Sequence, residues 1–450
     1  MLIDRYATRH SSKSDEAVRA FEKAVHGVAT HRPSTGDALT RALWADPDLV
    51  AGHALKGFAS VILGRDELIP AARQACEKAI AAAQAQGGAT ESETVLIEAL
   101  EFAAEGRLLS AAARLEAHLG ENPTEFLAAK LAHALRFMGG DLRGMLVATS
   151  RLVDRLPESA PGYGFLLGCH AFGLEEAGEF ASAERAGRRA VEIEPEDAWG
   201  IHAVSHVHEM SGRVREGVAW LERDRASWSR CNNFSFHISW HLALFHLERG
   251  DHARVLALYD REVRPQATDD FRDVANAVSL LWRLEQEGIA VGQRWGELGE
   301  IALKRRSDTT LTFASLHYLL ALVATKETAA AAELVSAIGA KAVSAEGDQA
   351  TVMDVVGRDL ARTILGLATS GVNRTAIDRL ATRLPMIGAS HAQRDVFVRS
   401  LAMLAAERGD RATLDRVLAI RRRLKREDRF ALLVRERLRG AAAQPIPLSA

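Results

Sequence analysis

The chain has 450 residues, with 57 Lys and Arg against 59 Asp and Glu, which is room for one large domain or two to three ordinary ones. Its net charge of −2 argues against an electrostatic binder of nucleic acid or membrane, and 48% hydrophobic residues exclude wholesale disorder. Aromatics make up only 6% and prolines number only 11, while Ala and Leu crowd every stretch, a balance that favours helix over sheet. The N-terminal MLIDRYATRHSSKSDE lacks the apolar core of a signal peptide, and no run of about 18 apolar residues follows anywhere. Cys76, Cys169 and Cys231 are too widely spaced for a metal knuckle or a disulfide framework. A cytoplasmic protein is expected.

Taken in chain order, the helices recur. Pro47 to Gly64, Gly106 to Pro123 to Gly140, and Gly178 to Pro195 to Gly212 are all steps of 17 residues. Two steps make 34, the period of a tetratricopeptide repeat, in which Gly turns the chain between two helices and Pro ends the second. The clearest unit is Leu166 to Asp197, with Gly178 as the turn, Ala183 and Ala190 as small contacts and Pro195 as the stop. From Gly212 to Gly250 the step grows to 38, which marks an insertion. The fold class is therefore all-α, a tetratricopeptide-repeat-like superhelix of helical hairpins, or α-solenoid. A single domain is expected over 1–439, with clear repeats over 38–260 and degenerate ones over 262–439. The segment 344–354 reads as a loop and the tail 440–450 as disordered. In the basic run 416–430, Glu427 and Asp428 interleave with the cations, and Asp415 and Glu436 flank them; this reads as a solvated terminal helix.

Chemistry concentrates in one stretch. Seven of the 16 histidines fall between 202 and 252. On one helix His202, His206 and Glu209 share a stripe within about 60°, and one repeat later His237, Trp240 and His241 share another. Counted back from Gly212 as repeat position 15, the first three hold positions 5, 9 and 12, which face the concave groove of this architecture. His246 and His208 fall off the stripes. Further along, Ser390 is a helix N-cap candidate, followed by His391, Arg394 and Asp395, which could meet an anion. His317 is a lone His on an apolar helix and reads as a core residue. Cys169 and Cys231 read as packing residues.

These strings resemble a known family. GYGFLLGCHAFGLEEAGEFASAE, DAWGIHAVSHVHEMSGR, HISWHLALFHLERGD and SHAQRDVF, with the opening LIDRYATRHSSKSDEAVRAFEKAV, are similar to the tetratricopeptide repeat protein 38 family over most of the chain. The resemblance implies one helical repeat domain and carries over His202, His206, Glu209, His237, Trp240, His241, His391, Arg394 and Asp395. It adds Glu175 and Glu176 as ligand-binding residues. SLHYLLAL departs from the family's more polar version before His317.

Two functions follow. In the first, the His-rich pocket binds a small polar molecule, with His202, His206, Glu209, His237 and His241 doing hydrolysis or proton transfer, as a hydrolase or lyase would. Trp240, His391, Arg394, Asp395, Glu175 and Glu176 then hold the ligand, and His202, His206 and Glu209 form one candidate set for a divalent metal. In the second, the groove is a non-catalytic scaffold for an extended peptide. Neither reading calls for nucleic acid or membrane, and the oligomeric state stays open. A groove lined by His, Glu and Trp rather than Lys, Arg and Asn favours the first.

Overall fold

The computed structural model describes residues 2–369, 377–426 and 428–443. It is all-α, an α-solenoid of helical hairpins; the strands among the described residues are two-residue pieces, Leu2–Ile3 and Arg9–His10, paired antiparallel. The helices begin with α1 (Asp15–Thr30), α2 (Thr35–Ala45), α3 (Val50–Ile62), α4 (Ile69–Ala85), α5 (Glu91–Ala104), α6 (Leu108–Glu121) and α7 (Phe126–Met138). They continue as α8 (Leu142–Arg155), α9 (Tyr163–Glu176), α10 (Phe180–Ile193), α11 (Ala198–Met210), α12 (Val214–Arg223), α13 (Arg225–Trp228) and α14 (Phe234–Glu248). After these come α15 (His252–Leu258), α16 (Phe271–Gln286), α17 (Trp295–Lys304), α18 (Thr312–Ala324), α19 (Thr328–Ser344) and α20 (Gly347–Val352). The last are α21 (Arg358–Thr369), α22 (Ile377–Arg383), α23 (His391–Glu407), α24 (Arg411–Arg422) and α25 (Arg429–Ala443). No described helix is long and apolar enough to cross a membrane.

The described residues form two compact units: those of 2–207, 221–238 and 345–351 make the first, and those of 208–220, 239–344, 352–369, 377–426 and 428–443 the second. In the first, the 17-residue step has a visible cause. Gly178 takes φ of 83°, a region open mainly to glycine, and its N–H and that of Glu179 return to the carbonyls of Glu175 and Leu174, closing the end of α9. Ala183 and Ala190 of α10 are fully buried, as the small contacts of the repeat require. Gly187 and Gly168 let α10 and α9 meet α11: a Cβ at Gly187 would stand 2.7 Å from Val204 Cγ2, and one at Gly168 would stand 2.1 Å from Asp197 Oδ2. The 38-residue step is explained by the extra turn α13, whose Trp228 is buried with its indole N–H donated to the Leu221 carbonyl.

Three expectations are corrected. Residues 344–354 are mostly helical rather than a loop, covering the end of α19, all of α20 and the first residues of a π-helical turn at Met353–Gly357. Within the first unit, Asp348 anchors residues 345–351: its N–H donates to the Gly106 carbonyl at 3.0 Å, and its carboxylate accepts from the Leu109 N–H at the start of α6 at 2.8 Å. A cap borrowed from more than 200 residues away leaves no local sequence signal. Residues 440–443 continue α25 as helix, and the rest of the expected disordered tail, 444–450, lies outside the described residues. In the run 416–430 Arg421 is buried rather than solvated, because Asp395 and Asp428 are placed to pair with it.

Asp348→Ala should remove the side-chain cap of α6 and lower stability by about 1 kcal/mol. Gly347→Ala should cost more, since φ there is 73° and the new Cβ would meet the Gly106 carbonyl oxygen at 2.9 Å. Denaturant titration of both variants checks the order.

Candidate functional site

The first unit brings three of the expected imidazoles to one point. His202 and His206, one turn apart on α11, approach through their Nε2 atoms at 2.9 Å, and His202 Nε2 lies 3.0 Å from His237 Nε2 at the start of α14. His202 and His206 are buried, whereas His237 is partly exposed. Glu175, near the end of α9, is fully buried with Oε2 3.4 Å from His206 Nδ1. Glu176 completes a group in which Glu175, Glu176 and His206 each offer an atom within 4.8 Å of the others. Phe172 stacks on His202, with ring centres 5.6 Å apart, and meets His206 edge-on. Phe234 and Trp199 stack on each other at 5.3 Å and flank His202.

Beside this cluster stands a group that the histidine stripes did not reveal. On α7, His133 is 5% exposed, with its ring edge-on to Trp199 at 5.6 Å and to Phe172 at 6.3 Å. Burial, reinforced by the Lys130 charge, pushes its pKa down to about 3, so the ring is neutral at ordinary pH. The buried Lys130 ammonium sits 5.0 Å above the Trp199 ring and donates to Cys169 Sγ at 3.5 Å. Asp197, just before α11, is fully buried against the N–H groups of Gly200 and Trp199; burial raises its carboxyl to about 7, against the opposing pull of Lys130. Burial likewise raises the Cys169 thiol, and Lys130 only partly offsets that, so Cys169 carries no thiolate character. The signal was available in the repeat count: with Gly140 as position 15, Lys130 takes position 5, the place of His202 two rounds later.

The remaining candidates belong to the second unit, and each has a partner there. Glu209 is bound on both sides, by His241 Nδ1 at 3.0 Å and by Lys425 Nζ at 2.8 Å. Trp240 is fully buried, its indole N–H donated to Ser279 Oγ at 3.1 Å and its ring beneath the Arg283 guanidinium. His246 is buried near Asp251, off the His241 stripe. Ser390 caps α23 in a reciprocal box with Gln393. Arg394 turns back onto the carbonyls of Gly388 and Ala389 and onto His391 Nδ1, which fixes the start of that helix. Asp395 takes two hydrogen bonds from Arg421, at 2.6 and 2.9 Å, and Arg421 also grips Asp428. Burial alone would raise the Asp395 carboxyl; Arg421, with Lys425 and Arg283, reverses that and holds it well below the usual carboxylate range. His317 gives its Nδ1 proton to the Phe313 carbonyl at 2.8 Å and packs edge-on against Phe397, as a core histidine would.

Fold and site together define a tetratricopeptide-repeat-like helical protein with a buried imidazole cluster in its first unit. No family model matches the sequence. Among solved structures the chain is similar to human IFIT1, solved as a dimer with PPP-AAAA, over 98% of both chains at 14% identity and a TM-score of 0.40.

Two outcomes are expected. Burial lowers the His317 pKa to about 3, despite its bond to the Phe313 carbonyl, so the unfolded chain takes up this proton first as pH falls below about 6.5. Stability should therefore drop towards acid, and His317→Gln should flatten the slope by up to about 1.4 kcal/mol per pH unit in urea titrations between pH 7 and 4. Asp395→Asn should leave Arg421 half-paired in a buried setting and destabilise by about 3–5 kcal/mol, read as a fall in Tm.

Proposed function

We propose that the first unit is a small-molecule site built on a divalent transition metal held by His202, His206 and His237, and that its chemistry is hydrolytic or lyase-like. The carrying observation is the meeting of three Nε2 atoms at His202. A neutral imidazole nitrogen has one in-plane lobe, either a proton or a lone pair, so His202 Nε2 is not able to serve two nitrogen partners at once. A shared cation accepts all three lone pairs. Tetrahedral Zn–N bonds of about 2.0–2.1 Å put nitrogens about 3.3 Å apart, a small widening of the contacts found here.

Glu175 beside His206 Nδ1 supports the same reading, since a carboxylate there orients a ligating imidazole and raises its basicity. Three protein ligands leave a fourth position for water, whose pKa such a metal lowers towards neutrality. His237 and Trp199, both partly exposed, leave a way in for a small polar substrate. Glu209, the third ligand in the set expected from sequence, is engaged by Lys425 and His241 in the second unit, so His237 takes its place in the proposal. The proposal extends to kinship with the tetratricopeptide repeat protein 38 family, whose resemblance covers His202, His206, His237 and Glu175.

Zinc titration by calorimetry of chelator-treated protein tests this. One equivalent should bind, with at least ten-fold weaker binding in His202→Ala and in His237→Ala, and ten- to hundred-fold weaker binding in Glu175→Gln. Circular dichroism checks that each variant is folded. Folded parent protein that takes up no zinc or cobalt would sink the proposal.

A further inference from the structure

We infer that Lys130, His133 and Trp199 form a receptor for the carboxylate of a small apolar or aromatic monoacid. The inference rests on reading the first unit as a ligand site, though not on the metal. Three donors gather on two neighbouring elements, and the buried carboxylate near them, Asp197, feels the Lys130 charge but lies beyond ion-pair distance of it. Among the described residues no carboxylate lies within ion-pair distance of Lys130 Nζ, whose hydrogen-bond partner is the weak acceptor Cys169 Sγ. His133 has neither ring nitrogen hydrogen-bonded, although it is buried, and the Trp199 indole nitrogen is buried without a partner as well. Each such orphan costs about 1–3 kcal/mol, and a buried ammonium without a direct ion pair costs more.

The geometry ties the three together. Trp199 carries Lys130 Nζ over its face at 5.0 Å and His133 against it at 5.6 Å. One carboxylate offers about four lone-pair directions, enough for an ammonium, an imidazole N–H and an indole N–H at once. The charge selects among anions. Burial raises the Asp197 carboxyl to about 7, so near neutral pH it offsets the Lys130 charge only in part, and the receptor offers at most one positive charge beside two neutral donors. That suits a monoanion better than a phosphate dianion. The walls select the body: Phe137 and Phe172 meet edge-to-face at 5.6 Å, and both reach Trp199, which gives the bound acid apolar surroundings. Trp199 also touches His202, so a carboxylate anchored at Lys130 puts the rest of the molecule beside the imidazole cluster.

The test uses benzoate as probe on the full chain after chelator treatment, by calorimetry and by quenching of tryptophan fluorescence. Saturable one-to-one binding is expected, at least ten-fold weaker in Lys130→Met and partly restored in Lys130→Arg. Where Lys130→Met does not fold, His133→Gln serves in its place and should weaken benzoate several-fold. Folded parent protein that does not bind benzoate at millimolar concentration overturns the inference. So does equal affinity in folded Lys130→Met, or tighter binding of inorganic phosphate than of benzoate. Zinc titration of the same samples is scored separately: zinc uptake without benzoate binding removes this receptor alone, and benzoate binding without zinc removes only the metal.

Discussion

The backbones of the first unit come together at glycines, and the buried histidine cluster depends on that closeness. At Gly168, Gly187 and Gly200 a single added carbon would strike Asp197, Val204 and Asp197 in turn. Helices that approach this closely bring the side chains of α9 and α11 into ring contact, which is how Phe172 comes to stack on His202. Larger residues at those glycines would spread the hairpins, and imidazoles one repeat apart would no longer reach one another. The same closeness excludes water, so every polar group on these faces needs a protein partner or a ligand.

The two units meet that demand differently. In the second, buried charges are balanced in place: Asp395 and Asp428 flank Arg421, and Lys425 meets Glu209. Such a network is closed, with every charge answered by its neighbours, and its shifted carboxyl reflects structure rather than reactivity. In the first unit the balance is incomplete. Three imidazole nitrogens meet at one point, His133 sits among aromatic rings without a hydrogen bond, and among the described residues no carboxylate lies within ion-pair distance of Lys130. The gathering of such groups at one point, rather than the number of histidines, is what marks the candidate site.

Repeat arithmetic made much of this legible. The steps of 17 residues correspond to glycines in the left-handed region at the ends of α9 and α11, and counting from the second put His202, His206 and Glu209 on a shared inner face, while Glu175 came only from the family resemblance. The same count applied two repeats earlier also points to Lys130. His133 was beyond it, because that histidine sits at position 8, beside the repeat's inner positions, and turns inward through its contact with Trp199. The anion-binding expectation for Arg394 and Asp395 shows the opposite limit. Their place at a helix start was visible, but their partners, the Gly388 and Ala389 carbonyls and Arg421, depend on how the turn and α24 are laid down.

The sequence by itself determined the helices, their hairpin turns and the face each inward side chain takes. These follow from periodicity and from where glycine and proline permit or forbid the next residue. Only the tertiary structure decided which inward groups are answered. Pairing joins residues such as Leu109 and Asp348, or Glu209 and Lys425, across hundreds of positions, and nothing in the local pattern of either segment encodes the other. A buried charge is made structural or available by whether a distant helix delivers its partner, and that delivery is settled by packing.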